Sequence, residues 1–517
     1  MDRAPASRGL EVEIKLELTP SEVANLQASR WLAGLDLVGD ARRQRLVSVY
    51  FDTPKHRLRD DGVSLRVRHE GARRLQTVKA QSSSLALARI EREREIQGDV
   101  PQLRGESLVS KKLAHKLRPI FETRVERTTQ PVRLPGGTLE VSIDQGEIVA
   151  GNRRQSISEV ELELKAGDPI VLTELAKRLS AELKPAWGAR SKAERGYALA
   201  ERQRAQPAKA ELIELDPRVT VSGAFPIIGL SCLRQCALNQ PLVQAGDAEG
   251  VHQMRVGLRR LRAAISLFDD LLGGPETQTV KARLRWLTEQ LGPTRDYDVF
   301  LDERVLPSKK SPAYRHQLEQ LEGLLRAQRA REAERARRAV VSDRYRQLLL
   351  ETALWLHGGA WTSASRIPGR RVRQQSLRRL ACAALANRRK RLVRGLRRLD
   401  ELQPVERHKL RILVKKLHYG SEFFASLFYE PRQQRRRRRY VAQLERLQDL
   451  LGELNDIRIH QTLAEGVVRA AAGSPSGAEA AFAVGLIDGA EQTRAHGLVK
   501  AAGRAGRKFA GLPRFWD

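Results

Sequence analysis

The sequence is poor in cysteine, methionine and aromatic residues. Its 517 residues include 3 cysteines and 2 methionines, and aromatic residues make up 5%. Three cysteines are too few for a disulfide framework, and few aromatics leave little on which single-stranded bases can stack. No uninterrupted apolar run approaches the ~20 residues of a bilayer span, and the first ten residues lack the apolar core of a secretory signal. We therefore expect a cytoplasmic protein with no membrane span.

Acidic residues are scarce relative to basic ones. Lys and Arg number 93 against 62 Asp and Glu, which gives a net charge of +31 at pH 7. The excess is concentrated after residue 203, where 57 of the basic and 33 of the acidic residues lie. Such an excess predicts a polyanionic partner. Because aromatics are few, phosphate is favoured over base as the recognised group.

The spacing of apolar residues changes near residue 200. Before that point short runs alternate with period two, which is typical of β-strands, whereas beyond Pro217 the period is near 3.6, typical of helices. Residues 204–217 are polar and contain two prolines, which indicates a linker. The chain is also too long for one ordinary core. We predict a multi-domain protein, β then α, with a β-rich domain at 9–203, a linker at 204–217 and an all-α domain at 218–517.

Charged residues occupy alternate positions in several predicted strands. Glu11, Glu13 and Lys15 alternate with apolar residues, and the run from Glu159 to Lys165 repeats the pattern. Since alternate residues of a strand share a face, each run places its charges on one side. A solvated face explains any one such strand, but acids on some strands and arginines on others favour a closed barrel with a polar interior. Carboxylates there can hold a hard cation, and Arg or Lys can hold phosphate oxygens.

Six short motifs in residues 9–200 resemble those of the CYTH domain of triphosphate tunnel metalloenzymes, in the family's order. They are Glu11-x-Glu13-x-Lys15, Tyr50-Phe-Asp-Thr-Pro54, Leu65-Arg66-Val-Arg68, Ile143-Asp144-Gln-Gly-Glu147, Glu159-x-Glu161-x-Glu163 and Ser191-Lys192-Ala-Glu-Arg195-Gly-Tyr197. The resemblance implies an eight-stranded antiparallel β tunnel barrel that binds triphosphate compounds with a divalent metal. The family includes inorganic triphosphatases, thiamine triphosphatases and class IV adenylyl cyclases.

The resemblance also implies roles for individual residues of the barrel. The implied catalytic residues are Glu11, Glu13 and Lys15. The implied metal ligands are Glu11, Glu13, Glu91, Asp144, Glu161 and Glu163, and the implied triphosphate ligands are Lys15, Arg66, Arg68, Lys79, Arg127 and Lys192. The expected cofactor is Mg²⁺ or Mn²⁺, since both are hard cations that prefer carboxylate and water oxygens.

The helical part contains two pairs of similar segments. The segment from His252 to Leu261 resembles the one from His408 to Leu417, 156 positions later, and residues 291–296 resemble residues 451–456, 160 positions later. Two matches in the same order at nearly the same offset predict a duplicated helical unit. On a helix, the histidine and basic residues of each segment form one stripe opposite an apolar side.

These segments resemble the CHAD domain over about residues 218–517. The resemblance implies a duplicated all-α helical bundle with a basic groove that binds inorganic polyphosphate. The implied polyphosphate ligands are His252, Arg255, Arg259, Arg260, Arg262, His408, Arg411, Lys415 and Lys416. A solvated basic face is the ordinary explanation of one such helix. A histidine metal site is a weaker alternative, because no second His or carboxylate lies at i+4 from His252.

Together the resemblances predict a CYTH–CHAD protein, a metal-dependent inorganic triphosphatase that hydrolyses tripolyphosphate to pyrophosphate and phosphate and binds polyphosphate through its C-terminal domain. One alternative is a non-catalytic protein that binds polyphosphate, in the cytoplasm or at polyphosphate granules. Another is a different CYTH activity, thiamine triphosphatase or adenylyl cyclase. A nucleic-acid partner would explain the charge of +31 but not the glutamates on the strands.

Overall fold

The structure, a computed structural model, describes residues 10–28, 35–81, 88–104, 106–201, 205–310, 312–362 and 375–517. The chain divides into two compact units. The first comprises Met1–Gln206 and Arg346–Ser363, and the second comprises Pro207–Tyr345 and Ala364–Asp517. The first unit thus includes a segment from far along the chain, which the spacing of apolar residues does not predict.

The first unit is built on one antiparallel sheet. Its strands are β1 (Leu10–Glu17), β2 (Asp36–Leu37), β3 (Arg42–Asp52), β4 (Val63–Glu70), β5 (Arg73–Gln81), β6 (Ala88–Glu95), β7 (Arg118–Leu134), β8 (Gly137–Ala150), β9 (Arg153–Gly167) and β10 (Ala186–Trp187). Because β1 pairs with both β6 and β9, the long strands close a ring in the order β1-β6-β5-β4-β3-β7-β8-β9.

The expectation of an eight-stranded sheet needs correction, since the sheet has ten strands. The ring contains eight strands of at least eight residues each, and two strands of two residues add to it. Of these, β2 pairs with β7 and β10 pairs with β1. A two-residue strand is too short to show an alternating pattern, so the sequence does not reveal it.

Four helices belong to the first 206 residues: α1 (Pro20–Ala28), α2 (Arg57–Asp60), α3 (Ile170–Glu182) and α4 (Lys192–Ala200). The apolar residues of β1, β7, β8 and β9 form one core with α1, α3 and the side chains of Leu350 and Leu354. Their neighbours along each strand therefore point to the other side of the sheet. Because the ring is closed, that side is its interior, and it carries the charged residues.

The described chain from residue 221 onward is mainly helical. The helices from residue 221 onward are α5 (Val221–Leu238), α6 (Gln240–Gln244), α7 (Ala248–Leu267), α8 (Pro275–Phe300), α9 (Leu306–Ser308), α10 (Arg315–Val341), α11 (Asp343–Gly358), α12 (Leu377–Leu396), α13 (Pro404–Phe423), α14 (Pro431–Ala470) and α15 (Pro475–Ala510). The two similar segments lie on α7 and α13, which contact each other. The duplication of the bundle stays a prediction.

The predicted apolar side of α7 is buried. Met254, Leu258, Leu261 and Ile265 are each at most 1% exposed. This burial confirms that the stripe of basic residues lies on another side of the helix. Asp247 begins α7, and its side chain accepts a hydrogen bond from the amide of Gly250, which satisfies one of the donors that a helix start leaves unpaired.

One segment is long and apolar enough to cross a membrane by length and composition alone. It covers residues 221–244 with a mean hydropathy of 1.3, and 56% of its apolar window is buried inside the protein. Core helices of globular proteins pass the same test. The segment is therefore weak evidence for a membrane span.

Candidate functional site

Three carboxylates converge on the inner face of the strand ring. Asp144 lies on β8, Glu159 and Glu161 lie on β9, and their oxygen atoms come within 4.8 Å of one another. The register of the two strands brings them together, because Asp144 is directly opposite Glu159. All three are buried. Three carboxylate oxygens at this spacing form a donor set that suits a hard divalent cation such as Mg²⁺ or Mn²⁺.

Lysine and arginine side chains surround these carboxylates. Lys192 Nζ lies 2.6 Å from Asp144 Oδ2 and 3.0 Å from Glu161 Oε1, and it also contacts Glu159. Arg127 donates two hydrogen bonds of 2.6 Å to Asp144 and one of 2.5 Å to Glu161. The ammonium of Lys192 thus lies among all three carboxylates.

Lys15 on β1 completes the surroundings of Glu161. Its Nζ lies 2.6 Å from Glu161 Oε1 and 3.3 Å from Glu13 Oε1. Burial of Glu161 opposes its charge, but Lys15, Lys192 and Arg127 hold the pKa of its carboxyl well below the ordinary value. Burial likewise opposes the charge on Lys192, yet the same carboxylates raise its pKa above the ordinary value. Glu161 and Lys192 are therefore both charged at neutral pH.

Four cations and four carboxylates make up this central network. The cations are Lys15, Arg127, Lys192 and Arg195, and the carboxylates are Glu13, Asp144, Glu159 and Glu161. Formal charges therefore balance. A polyanion entering alone would disturb the balance, whereas a polyanion entering with divalent cations would largely preserve it.

A second set of predicted ligands lies on β4 to β6. Arg66 Nη1 lies 3.4 Å from the hydroxyl of Tyr50, and Lys79 Nζ lies 3.0 Å from Glu91 Oε2. Among the described residues, the Nε atoms of Arg66 and Arg68 are buried without a hydrogen-bond partner. Buried donors of this kind are costly unless something accepts from them, so they favour an anion in the interior.

Arg66 shares the interior with the central network. Burial opposes the charge on its guanidinium, but Tyr50 and Glu91 raise its pKa, and the charge of Arg127 acts on it in the opposite direction. Arg66 is therefore electrostatically linked to residues of both β6 and β7.

Not every predicted metal ligand joins the carboxylate group. Glu163 pairs with Lys165, whose Nζ lies 2.8 Å from Glu163 Oε2 and 3.3 Å from Glu140 Oε1. Glu91 pairs with Lys79. The backbone of Glu11 lies in β1, but its side chain lies outside the described residues. Of the six predicted metal ligands, the structure brings Asp144 and Glu161 together and links Glu13 to them through Lys15.

Two residues of the network were not predicted as site residues. Glu159 completes the carboxylate group, and Arg195 Nη2 lies 2.9 Å from Glu159 Oε2. A signal for both was present in the sequence. Glu159 precedes Glu161 by two positions and shares its strand face, and Arg195 follows Lys192 by three positions and shares its helix side.

Helix α4 is fixed in place by its own sequence. Ser191 begins it with a capping box, and Gly196 packs so closely on Phe121 that a Cβ there would lie 2.1 Å from the ring. The hydroxyl of Tyr197 donates to Asp52 Oδ2 at 2.9 Å. These contacts give the motifs at residues 50–54 and 191–197 a structural role, because they hold the start of α4 over the carboxylates.

Five cations from three helices form a group in the second unit, which we call the first basic cluster. Its members are Arg255 and Arg259 on α7, Arg295 on α8, and Arg411 and Lys415 on α13. Burial and the neighbouring cations lower the pKa of Lys415 to about 6. Asp296 offers one counter-charge, with its Oδ1 3.4 Å from Arg255 Nη2, and Asp456 offers another.

The two predicted histidines lie beside the first basic cluster. Burial lowers the pKa of His252, and the charges of Arg295 and Arg259 lower it further. His408 Nδ1 lies 2.7 Å from the amide oxygen of Asn455, the residue before Asp456. His252 is thus next to cations with which it was predicted, and His408 contacts Asn455.

Three predicted polyphosphate ligands lie elsewhere. Arg260 is 3% exposed, donates to Gln235 Oε1 at 3.1 Å and lies over the ring of Phe423. Lys416 is influenced by Arg388 and Arg391 of α12 and by Arg262, while Arg262 is influenced by Arg285 and Glu289 of α8. Helix geometry separates these residues from the first basic cluster, because successive side chains are about 100° apart around the helix axis.

Comparison with known proteins identifies the two units. Residues 9–197 match the CYTH domain family, and residues 228–465 match the CHAD domain family. The chain is 31% identical over 202 residues to an inorganic triphosphatase of Haemophilus influenzae, which covers 37% of this chain and 56% of that protein. It is 27% identical over 313 residues to an uncharacterized protein of Mycobacterium tuberculosis, which covers 57% of this chain and 59% of that protein.

The chain thus spans a little more than half the length of these curated relatives. A solved structure, the CHAD domain from the plant Ricinus communis, is similar with a TM-score of 0.51 and 27% identity, over 60% of this chain and 98% of that chain. The two family matches agree with an antiparallel sheet followed by helices. The chain therefore contains a CYTH domain at residues 9–197, followed by a CHAD domain at residues 228–465.

Proposed function

We propose that the CYTH domain is a metal-dependent triphosphatase that hydrolyses tripolyphosphate to pyrophosphate and phosphate. The charge-balanced network inside the strand ring carries this proposal, with Asp144, Glu159 and Glu161 facing Lys15, Arg127 and Lys192. Carboxylates suit a hard divalent cation and the cations suit phosphate oxygens, so one interior can take both. Similarity to an inorganic triphosphatase supports the choice of substrate class.

The carboxylates and the cations of the network would have different roles in hydrolysis. Asp144, Glu159 and Glu161 would hold Mg²⁺ or Mn²⁺, which when bound neutralises charge on phosphate oxygens. With these carboxylates serving as metal ligands, Lys15, Arg127 and Lys192 would donate to the phosphate chain. They would stabilise the negative charge that develops as the phosphoanhydride bond breaks.

Other interior residues complete the proposal. The buried guanidinium groups of Arg66 and Arg68, together with Lys79, would bind the rest of the triphosphate, because two of their Nε donors lack a partner. Glu13, beside Lys15, is the carboxylate that we assign to orient the attacking water. Glu11 lies on the same strand, two residues earlier, and would extend this acidic pair.

Phosphate release by the full chain tests the triphosphatase proposal. With Mg²⁺ or Mn²⁺ and tripolyphosphate, Glu161→Gln should lower turnover by about 100-fold or more, because it removes a ligand charge from the centre of the network. Glu147→Gln is the matched control, since Glu147 on β8 pairs with Arg154 at 2.7 Å and is not part of the network. Unchanged turnover in Glu161→Gln, or full activity in EDTA, would contradict the proposal. Faster release from ATP or thiamine triphosphate would favour a different CYTH activity.

We further propose that the CHAD domain binds inorganic polyphosphate through the first basic cluster, in the cytoplasm or at polyphosphate granules. Four arginines and the amine of Lys415 converge there, and Asp296 and Asp456 supply only part of the charge opposite to the arginines. Such a surplus attracts a polyanion. Chains of linked phosphates suit it, because each phosphate can accept from a guanidinium.

Removing one arginine from α7 and one from α13 tests the binding of polyphosphate. Arg255→Ala combined with Arg411→Ala should weaken binding of long-chain polyphosphate by about 100-fold or more at physiological salt, because two charged hydrogen-bond partners are lost. The control removes two exposed arginines of α10, Arg315→Ala with Arg331→Ala. Equal affinities in the double variant and the parent protein would show that the partner binds elsewhere.

A further inference from the structure

One buried carboxylate joins three elements of the first unit. Asp52, the last residue of β3, is fully buried. Its Oδ1 accepts hydrogen bonds from the backbone amides of Thr53 at 2.6 Å and Leu58 at 2.9 Å. Its Oδ2 accepts from the amide of Arg59 at 3.0 Å and from the hydroxyl of Tyr197 at 2.9 Å. These four donors connect the end of β3 to α2 and to α4.

The ring of Tyr197 is held on several sides. It meets the ring of Phe121 edge-on, with centroids 5.2 Å apart, and the ring of His56 at 5.5 Å. The guanidinium carbon of Arg59 lies 5.7 Å from its centroid. Burial raises the pKa of Tyr197, and the charge of Asp52 raises it further, so the hydroxyl keeps the proton that it donates. Packing on this many sides leaves the ring little freedom to move.

Helix α4 carries Tyr197 and two cations of the central network on different sides. Lys192 and Arg195 precede Tyr197 by five and two residues. At about 100° per residue, both side chains lie more than about 120° around the helix from Tyr197. A fixed Tyr197 therefore fixes the backbone from which Lys192 projects. Lys192 Nζ contacts three carboxylates at once, so a small shift of α4 would alter all three contacts.

A row of side chains across neighbouring strands extends the same support to Arg66. Tyr50 on β3 is directly opposite Arg66 on β4 and directly opposite Phe121 on β7. The Tyr50 hydroxyl accepts from Arg66 Nη1 at 3.4 Å, and its ring is stacked on Phe121 with centroids 4.5 Å apart. Phe121 in turn contacts Tyr197. The row thus connects the support of Arg66 to the support of α4.

We propose that Tyr50 and Tyr197 are positioning residues for phosphate binding in the strand ring, Tyr50 for Arg66 and Tyr197, through α4, for Lys192. The proposal rests on triphosphate binding in that interior, which is part of the function proposed above. The two hydroxyls bond to Arg66 and Asp52, so they act on a phosphate chain only through the cations that they hold in place. Cations that are fixed before the ligand arrives lose less freedom on binding.

The affinity of the full chain for diimidotriphosphate with Mg²⁺, measured by calorimetry, tests the proposal. The P–N–P bridges of this analogue resist hydrolysis, so binding is measured apart from turnover. Tyr50→Phe and Tyr197→Phe keep the packed rings and remove one hydroxyl each, and each should lower the affinity by about five- to tenfold. The control is Thr173→Val on α3, which removes a buried hydroxyl without a hydrogen-bond partner and should leave the affinity unchanged.

Double-mutant cycles separate positioning from general destabilisation. If Tyr197 acts through Lys192, Tyr197→Phe should cost little affinity in a Lys192→Met background, and Tyr50→Phe should cost little in an Arg66→Met background. A tyrosine that only supported the fold would lower the affinity by the same factor in either background. Circular dichroism checks the fold of each variant. Lys192→Arg, which keeps the charge but moves the donor atoms, replaces Lys192→Met if that variant does not fold.

The outcomes separate this proposal from the one on which it rests, and each tyrosine is judged by its own cycle. Unchanged affinity in a tyrosine variant, or an equal loss in both backgrounds, would overturn the role of that tyrosine. An equal loss in Thr173→Val would overturn both roles. Coupling in the cycles together with unchanged phosphate release in Glu161→Gln would support positioning and reject the triphosphatase. Failure of the parent protein to bind the analogue would overturn both proposals.

Discussion

Lys415 is a lysine that the fold places among arginines. Burial is the main cause that lowers its pKa to about 6, and the charges of Arg411 and Arg259 contribute to the shift. The charge of Asp456 acts in the opposite direction. Arg255 on α7 acts in the same direction, while the cations of α12 face Lys416. At neutral pH the amine is therefore mostly uncharged. It gains a charge as the pH falls through about 6.

We predict that polyphosphate binding strengthens as the pH falls from neutral through about 6. The added charge on Lys415 should increase affinity by roughly tenfold. Lys415→Arg, which stays charged, should bind more tightly at neutral pH and lose much of this dependence, whereas Lys415→Met should be weak at both pH values. His252 also gains a proton on acidification. Adding His252→Asn to the Lys415→Arg variant therefore measures the part of the pH dependence of binding that comes from His252. An unchanged pH profile in Lys415→Arg would contradict the assignment.

Folding stability should depend on the same proton with the opposite sign. Because the pKa of Lys415 is lower in the folded chain than the ordinary lysine value, the unfolded chain binds more protons between about pH 6 and the ordinary value. Stability contributed by this group therefore rises with pH across that window and is lost on acidification. Polyphosphate binding and unfolding thus report the same titration independently.

Individual residues of the site were predicted to different extents. Strand alternation and motif order identified Asp144, Glu161 and Lys15, which the structure brings within hydrogen-bond reach of one another or of shared partners. The sequence places Arg195 on the same helix side as Lys192, but its pairing with Glu159 joins residues that are distant in sequence and becomes visible only in the structure. Arg260 is one of the polyphosphate ligands implied by the resemblance, but the helix turns it toward the core.

At the scale of the elements, the sequence predicts the long strands but does not predict that they close into a ring. Alternation marks β1, β8 and β9 because one face is apolar and the other charged. The pairing of β1 with β9 joins the ends of the sheet, and such a long-range pairing leaves no local trace in the sequence. The same holds for the separation of Lys416 from the first basic cluster, which depends on where α12 packs against α13.

Helix α4 offers a test at the scale of one element. Gly196→Ala should destabilise the first unit by about 1–3 kcal/mol, because the added Cβ would lie 2.1 Å from the Phe121 ring. That ring is itself stacked on Tyr50 with centroids 4.5 Å apart, so it has little room to move. Thermal or denaturant unfolding measures the change.

The control for this substitution is Gly323→Ala on α10. A Cβ there meets nothing within 4 Å, so the exchange should be neutral or stabilise by up to about 1 kcal/mol. A destabilisation of the same size at both positions would show that contact with Phe121 is not the reason for a glycine at 196.

At the scale of the whole molecule, the net charge of +31 explains attraction to any polyanion but not the choice among them. Salt should weaken polyphosphate and DNA binding alike, through release of counterions. Geometry distinguishes the two partners. Linked phosphates can fit between helices, whereas a duplex is too wide to do so, and few aromatics are available to stack single-stranded bases.

We therefore predict that DNA, at an equal concentration of phosphate and at physiological salt, fails to displace bound long-chain polyphosphate from the full chain. Competition monitored by fluorescence anisotropy measures the displacement. The variant Arg255→Ala with Arg411→Ala should lose polyphosphate while any weak DNA binding changes little. Efficient displacement by DNA, with a parallel loss of DNA binding in that variant, would instead identify a nucleic acid as the partner.

The divided first unit has a consequence for how the chain is made. Residues 346–363 belong to this unit, and Leu350 and Leu354 are part of its apolar core. A ribosome that adds about 5–20 residues per second needs roughly 7–28 s to synthesise the stretch between residues 206 and 346. During that interval the nascent strand ring lacks the last part of its apolar cover. Maturation of the CYTH unit is therefore delayed until much of the CHAD sequence has been translated, and chaperones have their longest access to it in that period.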